Sequence, residues 1–407
     1  MLVNLSNTVQ DITTIFQAFF TVEKEGRTET KLSLVKGNNI REKFKIEELK
    51  DSKVVLVVSG LDESEVEIKA LAKLYEQLQK EQKIQYQLVW IPIVEGQVDE
   101  QKFSSLQSLM SWYTVKHPSV VKPEVIRYIK EVWKFSKQAI LVSFDQKGRT
   151  DTVDALNLFL QKGSLPGLLP SSPAKEKSPW EINQLTLDIL IQDLYQVDST
   201  EPAPIICLYG GEDMKWIEQF TAAILARMKD FPELKIELIY VSKSNTTDQA
   251  NKAILDFITT NKIGDYWKAE ETKSWRFWSR LESIFTSGLK NGKNAKEDSI
   301  MKDVMTLLSF NGTCKGWAIF GKLGSNQKMA KAMGDVILQS LSKIITWSSD
   351  SFLAALNNQI EQLLAFQPHH CSHIVLPATN LEVKDEMMTC ATCGRKMNKY
   401  LTYQCCV

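Results

Sequence analysis

Sulfur and imidazole are scarce over most of this 407-residue chain: of seven cysteines only Cys207 and Cys314, and of four histidines only His117, lie before residue 368. So few, widely spaced thiols exclude the disulfide framework of a small secreted domain and favour a reducing, cytoplasmic setting. Charge of one sign is lacking too. Lysine plus arginine number 49 and aspartate plus glutamate 49, so no global field draws in nucleic acid or an anionic membrane. No apolar run approaches the roughly 20 residues that span a bilayer. The opening MLVNLSNTVQDITTIFQAFF lacks the basic region, continuous apolar core and small-residue cleavage site of a signal peptide. The glycosylation triplets at Asn4, Asn245 and Asn311 are then chance matches.

The chain does contain an internal repeat. Residues 53–94, KVVLVVSGLDESEVEIKALAKLYEQLQKEQKIQYQLVWIPIV, open on a short all-apolar run suited to a strand covered on both faces. A turn glycine follows, then acidic residues where a helix N-terminus favours them, then a helical stripe of Ile68, Leu71, Leu74, Tyr75 and Leu78. A second strand begins near Tyr86. Residues 205–242 repeat this order without a gap at an offset of 150, with Gly60 on Gly210 and Tyr86 on Ile236. Further on, VIRYIKEVWKFSKQAILVSFDQKGRT parallels MKDVMTLLSFNGTCKGWAIFGKLGSNQ. The expected architecture is α/β, two copies of one domain in tandem. Its parts are a helical lead-in (1–50), a first domain (51–162), a proline-rich linker (163–200), a second domain (201–365) and a Cys/His-rich module (366–407).

Strand, turn, helix, strand is how a thioredoxin-like domain begins, and LMSWYTVKHPSVVKPEVIRYIKEVWKFSKQAILVSFDQKGRT is similar to the nucleoredoxin and tryparedoxin branch of that fold. Redox chemistry there needs Cys-x-x-Cys at the first strand–helix turn, where the helix N-terminus lowers a thiol pKa. Here the turns read Ser59-Gly60-Leu61-Asp62 and Tyr209-Gly210-Gly211-Glu212, without sulfur. The proline that precedes the later apolar strand is replaced by Gln138-Ala139 and Gly316-Trp317. Both domains read as redox-silent. Cys207 reads as a small core residue and His117, in HPS, as a cap and entry turn. GWAIFGK at 316–322 has phosphate-loop spacing but the composition of a strand, and Leu323 stands where a magnesium-binding hydroxyl belongs. The acidic residues at Asp62-Glu63 and Glu212-Asp213 read as helix-start charge rather than a cation site. Trp275, Trp278, Leu281 and Phe285 follow helical spacing as core, with Arg276 and Arg280 expected on a solvated face.

The tail concentrates the chemistry. Cys390-x-x-Cys393-Gly394 has the shape of a metal knuckle, two thiolates one turn apart. Cys371, Cys390, Cys393 and Cys405 make a ribbon-like structural Zn2+ set, with His369, His370, His373 and Cys406 as alternates. Oxidation is the rival: Cys405 and Cys406 could link subunits by disulfides. Unpaired thiols on a short packed tail are the plain alternative.

Taken together, SWYTVKHPS, VIRYIKEVWKF, CLYGGEDMKWIEQFT, FWSRLES, GWAIFGKLGS and the tail C-x2-CGR-x-M-x-K-Y-x2-Y-x-CC closely resemble the sieve element occlusion proteins of plants, or phloem P-proteins. The resemblance implies a non-enzymatic, filament-forming protein of the sieve element lumen. Its partners would be itself and other family members, in P-protein bodies that plug sieve plates after wounding. Legume members respond to calcium. Family members usually carry a large helical N-terminal domain, and this chain starts close to where that domain would end. A nucleoredoxin-like oxidoreductase acting through the tail cysteines is the alternative of a different class.

Overall fold

The computed structural model describes residues 12–20, 24–25, 28–29, 33–50, 52–61, 68–69, 71–72, 75–76, 86–135, 139–144, 150–152, 184–191, 193–195, 204–242, 248–268, 272–312, 315–344, 351–366, 374, 388–391, 395 and 397. The chain divides into two compact units, one within residues 1–174 and one drawn mainly from residue 175 onward. Both are mixed α/β, each built on one mixed sheet.

In the first unit, helix α1 (Ile12–Phe19) precedes a hairpin of β1 (Ser33–Lys36) and β2 (Asn39–Lys45). Then come β3 (Lys53–Ser59), β4 (Tyr86–Pro92), α2 (Glu100–Ser108), β5 (Tyr113–Val115), α3 (Pro123–Glu131), β6 (Ile140–Phe144) and β7 (Thr150–Thr152). The sheet order is β2-β1-β5-β4-β3-β6-β7. The central trio β3, β4 and β5 is parallel, and β6 runs antiparallel to β3. Val54 to Val58 are all buried, because helices cover both faces of β3. On one face Phe16 and Phe19 of α1 and Val125 and Ile129 of α3 pack on Val54, Leu56 and Val58. On the other, Trp90 stacks on Phe103 of α2 at 5.5 Å and Tyr75 meets Trp112 edge-on at 5.1 Å.

The second unit contains α4 (Leu187–Ile191), β8 (Ile205–Gly210), α5 (Met214–Asp230), β9 (Ile236–Val241), α6 (Asp248–Asn261) and β10 (Asp265–Trp267). It continues through α7 (Thr272–Lys290), α8 (Ser299–Asn311), β11 (Trp317–Lys322), β12 (Ala330–Met333), α9 (Gly334–Lys343) and α10 (Phe352–Phe366). Its order, β10-β9-β8-β11-β12, reproduces β5-β4-β3-β6-β7 strand for strand, with the same directions. The duplication in the sequence is therefore a duplication of the sheet.

The ungapped alignment slips, however. The second strand starts 33 residues after its partner in one unit (Lys53 to Tyr86) and 31 in the other (Ile205 to Ile236). The structure thus matches Ser59, rather than Gly60, to the Gly210-Gly211 end of β8. A slip of two residues keeps every side chain on its own face, so alternation in the sequence carries no trace of it.

Two segments expected outside the domains lie within them. Residues 33–45, assigned to the lead-in, extend the first sheet by two strands, and α1 is core. Lys122 Nζ donates to the carbonyls of Gln17 (3.1 Å) and Ala18 (2.9 Å), placing a cation on the C-terminus of α1. The charged run NIREKFK hid the hairpin, since it suits an edge strand and not a core one. Residues 184–191 and 193–195, assigned to the linker, bury Leu185, Leu187, Leu190 and Leu194, and α4 packs against β11 and α7. Leu187 lies where any side chain on Gly321 would collide with it.

Arg276 and Arg280 correct a further expectation: both are buried. Each bonds Asp193 Oδ2, and Arg280 Nη1 donates to Leu190 O at 2.6 Å. Burial raises the Asp193 pKa, but the two guanidiniums outweigh it and hold the carboxyl below its ordinary range. Breaking a buried pair strands its partners, so Asp193→Ala should cost about 3 kcal/mol, read as a lowered midpoint in thermal unfolding of the whole chain. The wild-type contribution is present above the unfolded carboxylate pKa, near 4, and is lost as pH falls below it. The substituted protein should lack that step in its pH–stability profile.

Candidate functional site

The chemistry expected of this architecture sits at the C-terminal ends of the parallel strands, where β3 and β8 turn into helices. The two units close that end in the same way. In the first, Trp90 Nε1 donates to Ser59 Oγ at 2.9 Å. In the second, the residue at the matching place, Tyr240, donates through its hydroxyl to Gly211 O at 2.9 Å. A buried aromatic of the second strand thus ties down the end of the first in both copies. Burial raises the Tyr240 hydroxyl well above its ordinary range, so it remains a donor.

In the second unit the turn can be followed into its helix. Asp213 is the N-cap of α5 and accepts from Trp216 N at 3.1 Å, bearing out the helix-start reading of Glu212-Asp213. Asp213 and Trp216 stand three residues apart in the cap and first turn, the spacing a Cys-x-x-Cys pair would use. Trp216 fills the space instead. Its indole is buried, stacks on Phe220 at 4.8 Å and donates from Nε1 to Gly334 O at 3.0 Å. Gly316, at the place where the sequence lacks a proline, lies so close that a Cβ there would enter the Trp216 ring. Gly211, at φ +126°, has no room for a side chain beside the Gly316 backbone. Gly334 N in turn donates to Gly316 O at 2.7 Å. The result is a close-packed seal with no cysteine among its residues. Asp62 and Glu63 of the first unit lie outside the described residues.

Cys207, the only thiol described in this sheet, sits mid-strand in β8, fully buried, and burial pushes its pKa well up. That confirms a core residue. His117 caps a short 3-10 turn, Pro118–Val120: Nδ1 accepts from Ser119 N at 3.2 Å and Nε2 lies 2.9 Å from Glu100 Oε1. The residues 317–322 form strand β11, so the phosphate-loop spacing is a coincidence of sequence.

Of the candidate ligands in the tail, Cys390 alone is described; His369, His370, Cys371, His373, Cys393, Cys405 and Cys406 lie outside the described residues, as does Cys314. Cys390 is buried, and its amide donates to Arg395 O at 2.7 Å while Met397 N donates to Met388 O at 2.8 Å. These bonds bring residues 388–390 against residues 395 and 397. Among the described residues no group of three His, Cys, Asp or Glu side chains converges as metal ligands. No helix among them is long and apolar enough to cross a membrane. Sequence reasoning missed Trp216 as the filler of the turn. The available signal was Asp213-x-x-Trp216 facing Gly316, a large ring opposite a residue without a side chain.

Substituting Gly316 by valine should force the indole out and destabilise the second unit by about 3 kcal/mol, through overpacking against ring and backbone. Thermal unfolding together with the loss of the native tryptophan emission maximum checks this.

Comparison with known proteins places the chain. Residues 174–407 match the family described as "Sieve element occlusion C-terminus". Protein SIEVE ELEMENT OCCLUSION A of Arabidopsis thaliana is 29% identical over 373 residues, which cover 87% of this chain and 44% of that protein. Protein SIEVE ELEMENT OCCLUSION B of the same plant is 25% identical over 389 residues, 90% of this chain and 52% of that one. The chain therefore spans about half the length of these relatives. Among solved structures, tryparedoxin I of Crithidia fasciculata matches 32% of the chain at 15% identity and a TM-score of 0.26. With a family match across more than half its length, the chain belongs to the sieve element occlusion family.

Proposed function

We propose that this protein is a non-enzymatic structural component of the sieve element, assembling with copies of itself and with other family members into filaments that take part in occlusion after wounding. The observation that carries the non-catalytic half is the seal at the end of β8, where Trp216 packed on Gly316 occupies the place a redox pair would take in the second unit. Family membership carries the rest. The matching strand orders of the two sheets support reading both units as thioredoxin-like domains that kept their scaffold and lost their chemistry. The same membership supports our reading of a sieve element lumen location, in P-protein bodies.

In the tail, we read Cys371, Cys390, Cys393 and Cys405 as a structural Zn2+ set, with His369, His370, His373 and Cys406 as its alternates and Cys405 and Cys406 as the candidates for intermolecular linkage. Burial of Cys390, with its amide bonded to Arg395 O, supports this, since a structural zinc site encloses its thiolates. Bound zinc would supply cross-linking of the chain end and no catalysis.

Electron microscopy of the purified chain, alone and mixed with a full-length family member, tests the assembly. Filaments are expected in at least the mixture, and particles of single-chain size in both preparations, with and without calcium, would contradict it. Metal analysis of the reduced protein should find about one zinc per chain, and less than about 0.3 would remove the zinc reading. Insulin reduction should stay at background; robust activity lost in Cys390→Ser would make the protein an oxidoreductase instead.

A further inference from the structure

Glu100, His117 and Ser119 form a chain of hydrogen bonds that the capping of a turn does not require. His117 caps Pro118–Val120 by accepting from the Ser119 amide, and a cap needs no more than that. Yet the Ser119 hydroxyl also lies 2.7 Å from His117 Nδ1, and Glu100 Oε1 lies 2.9 Å from Nε2 on the other side of the ring. A carboxylate only accepts, so Nε2 carries the proton, Nδ1 keeps its lone pair and the Ser119 O–H donates to it. A hydroxyl, an imidazole base and a carboxylate that fixes the tautomer thus stand in the order and at the separations that activate a serine nucleophile. The ring is turned round relative to the common serine hydrolase arrangement, where Nε2 faces the serine. Here Nδ1, the nitrogen nearer the backbone, is the one that reaches a hydroxyl two residues on.

The fold holds these groups in place. Glu100 is the first residue of α2, and Phe103 stands one turn further along the same face. The carboxylate bonds one edge of the imidazole, while the buried Phe103 ring meets it at 70° with centroids 5.9 Å apart. Pro118 and Val120, on either side of Ser119, are buried and anchor the turn. Ser119 itself is exposed and the His117 side chain is 34% exposed, so a molecule from solvent reaches the hydroxyl directly. The amides of the turn, in contrast, are already used. Ser119 N is bonded to His117 Nδ1, Val120 N to His117 O at 3.3 Å and Val121 N to Pro118 O at 3.1 Å. None is left to steady an oxyanion, and each such donor is worth about 100- to 1000-fold in rate. Acylation of this serine is therefore confined to donors with a good leaving group. The serine alkoxide is a poor one, so the ester, once formed, is not cleared at a comparable rate.

We propose that Ser119 is an acyl acceptor, a site of covalent modification by thioesters and aryl esters, with His117 as its general base and Glu100 as the residue that positions that base. The bond between Ser119 Oγ and the acyl carbon forms, and the carbon–sulfur or carbon–oxygen bond of the donor breaks. The hydroxyl proton passes to His117 Nδ1 and from there to the departing thiolate or phenolate, which restores the neutral ring. Nothing is oxidised or reduced. The acyl group stays on the chain, so the site alters the surface of the first unit without turnover and is compatible with a structural role.

The test treats the full chain, its thiols first blocked with N-ethylmaleimide, with p-nitrophenyl acetate and follows acetylation of individual serines by peptide mass spectrometry. Ser104, exposed on α2, is the reference within the same molecule. Ser119 should be acetylated about 100-fold faster than Ser104, the lower end of what a positioned general base supplies. His117→Gln, whose side chain can still cap the turn, should bring Ser119 down to the Ser104 rate. Glu100→Ala should slow it several-fold, and Glu100→Gln, whose amide oxygen can still accept from Nε2, should restore most of the rate. Equal rates at Ser119 and Ser104 in the unsubstituted protein would overturn the proposal, and this comparison stands whether or not a variant folds. Fast acetylation retained in His117→Gln would overturn it too. So would release of p-nitrophenolate well beyond the acetyl groups found on the chain and lost in Ser119→Ala, which would make the site a turnover esterase.

Discussion

The constraint on which the rest depends is the burial of β3 and β8 on both faces. Val54–Val58 and Ile205–Tyr209 have no exposed side, so each must lie at the centre of a sheet with helices above and below. At roughly 1.5–3 kcal/mol for each fully buried aliphatic or aromatic side chain, these strands are the strongest single commitments the chain makes. Parallel neighbours reached through a helix, and an antiparallel partner on the other side, follow from that burial. The strand order common to both units is its outcome.

Much of this was legible in the sequence because the signal was strong and local. An all-apolar run, a turn, an amphipathic stripe and a second strand occur twice, and among the described residues the structure has both pairs of strands, with the first strand two residues away from the expected match. The helix of the lead-in was expected, though not as core; the β1–β2 hairpin and the strap built from residues 184–191 and 193–195 escaped for different reasons. NIREKFK is an edge strand, and edge strands carry charge that disguises them. In LTLDILIQDLYQ the helical spacing of Leu187, Leu190, Ile191 and Leu194 is present, but it follows a proline-rich stretch that drew the boundary too late. Arg276 and Arg280 were misplaced because their partner, Asp193, lies more than 80 residues away in sequence. Periodicity reports which face of a helix is apolar; it does not report that a distant carboxylate makes a cationic face buriable.

The candidate site shows the same division. The absence of sulfur at the strand–helix turns was plain from the residues. What replaces it was not, because the fit of the Trp216 ring against Gly316 depends on segments 100 residues apart being brought into contact. A buried aromatic ties down the strand end in both units, Trp90 in one and Tyr240 in the other.

Cys207 reports on the central claim, that the second unit is a sheet sealed on both faces and at its strand ends, because it lies at the middle of β8 with no solvent contact. The most direct measurement is alkylation of the native protein with N-ethylmaleimide over time, mapped by mass spectrometry across increasing denaturant. Cys207 should stay unmodified in native buffer and label only in step with unfolding of the second unit. Labelling in native buffer at the rate of a solvent-exposed thiol would contradict the account.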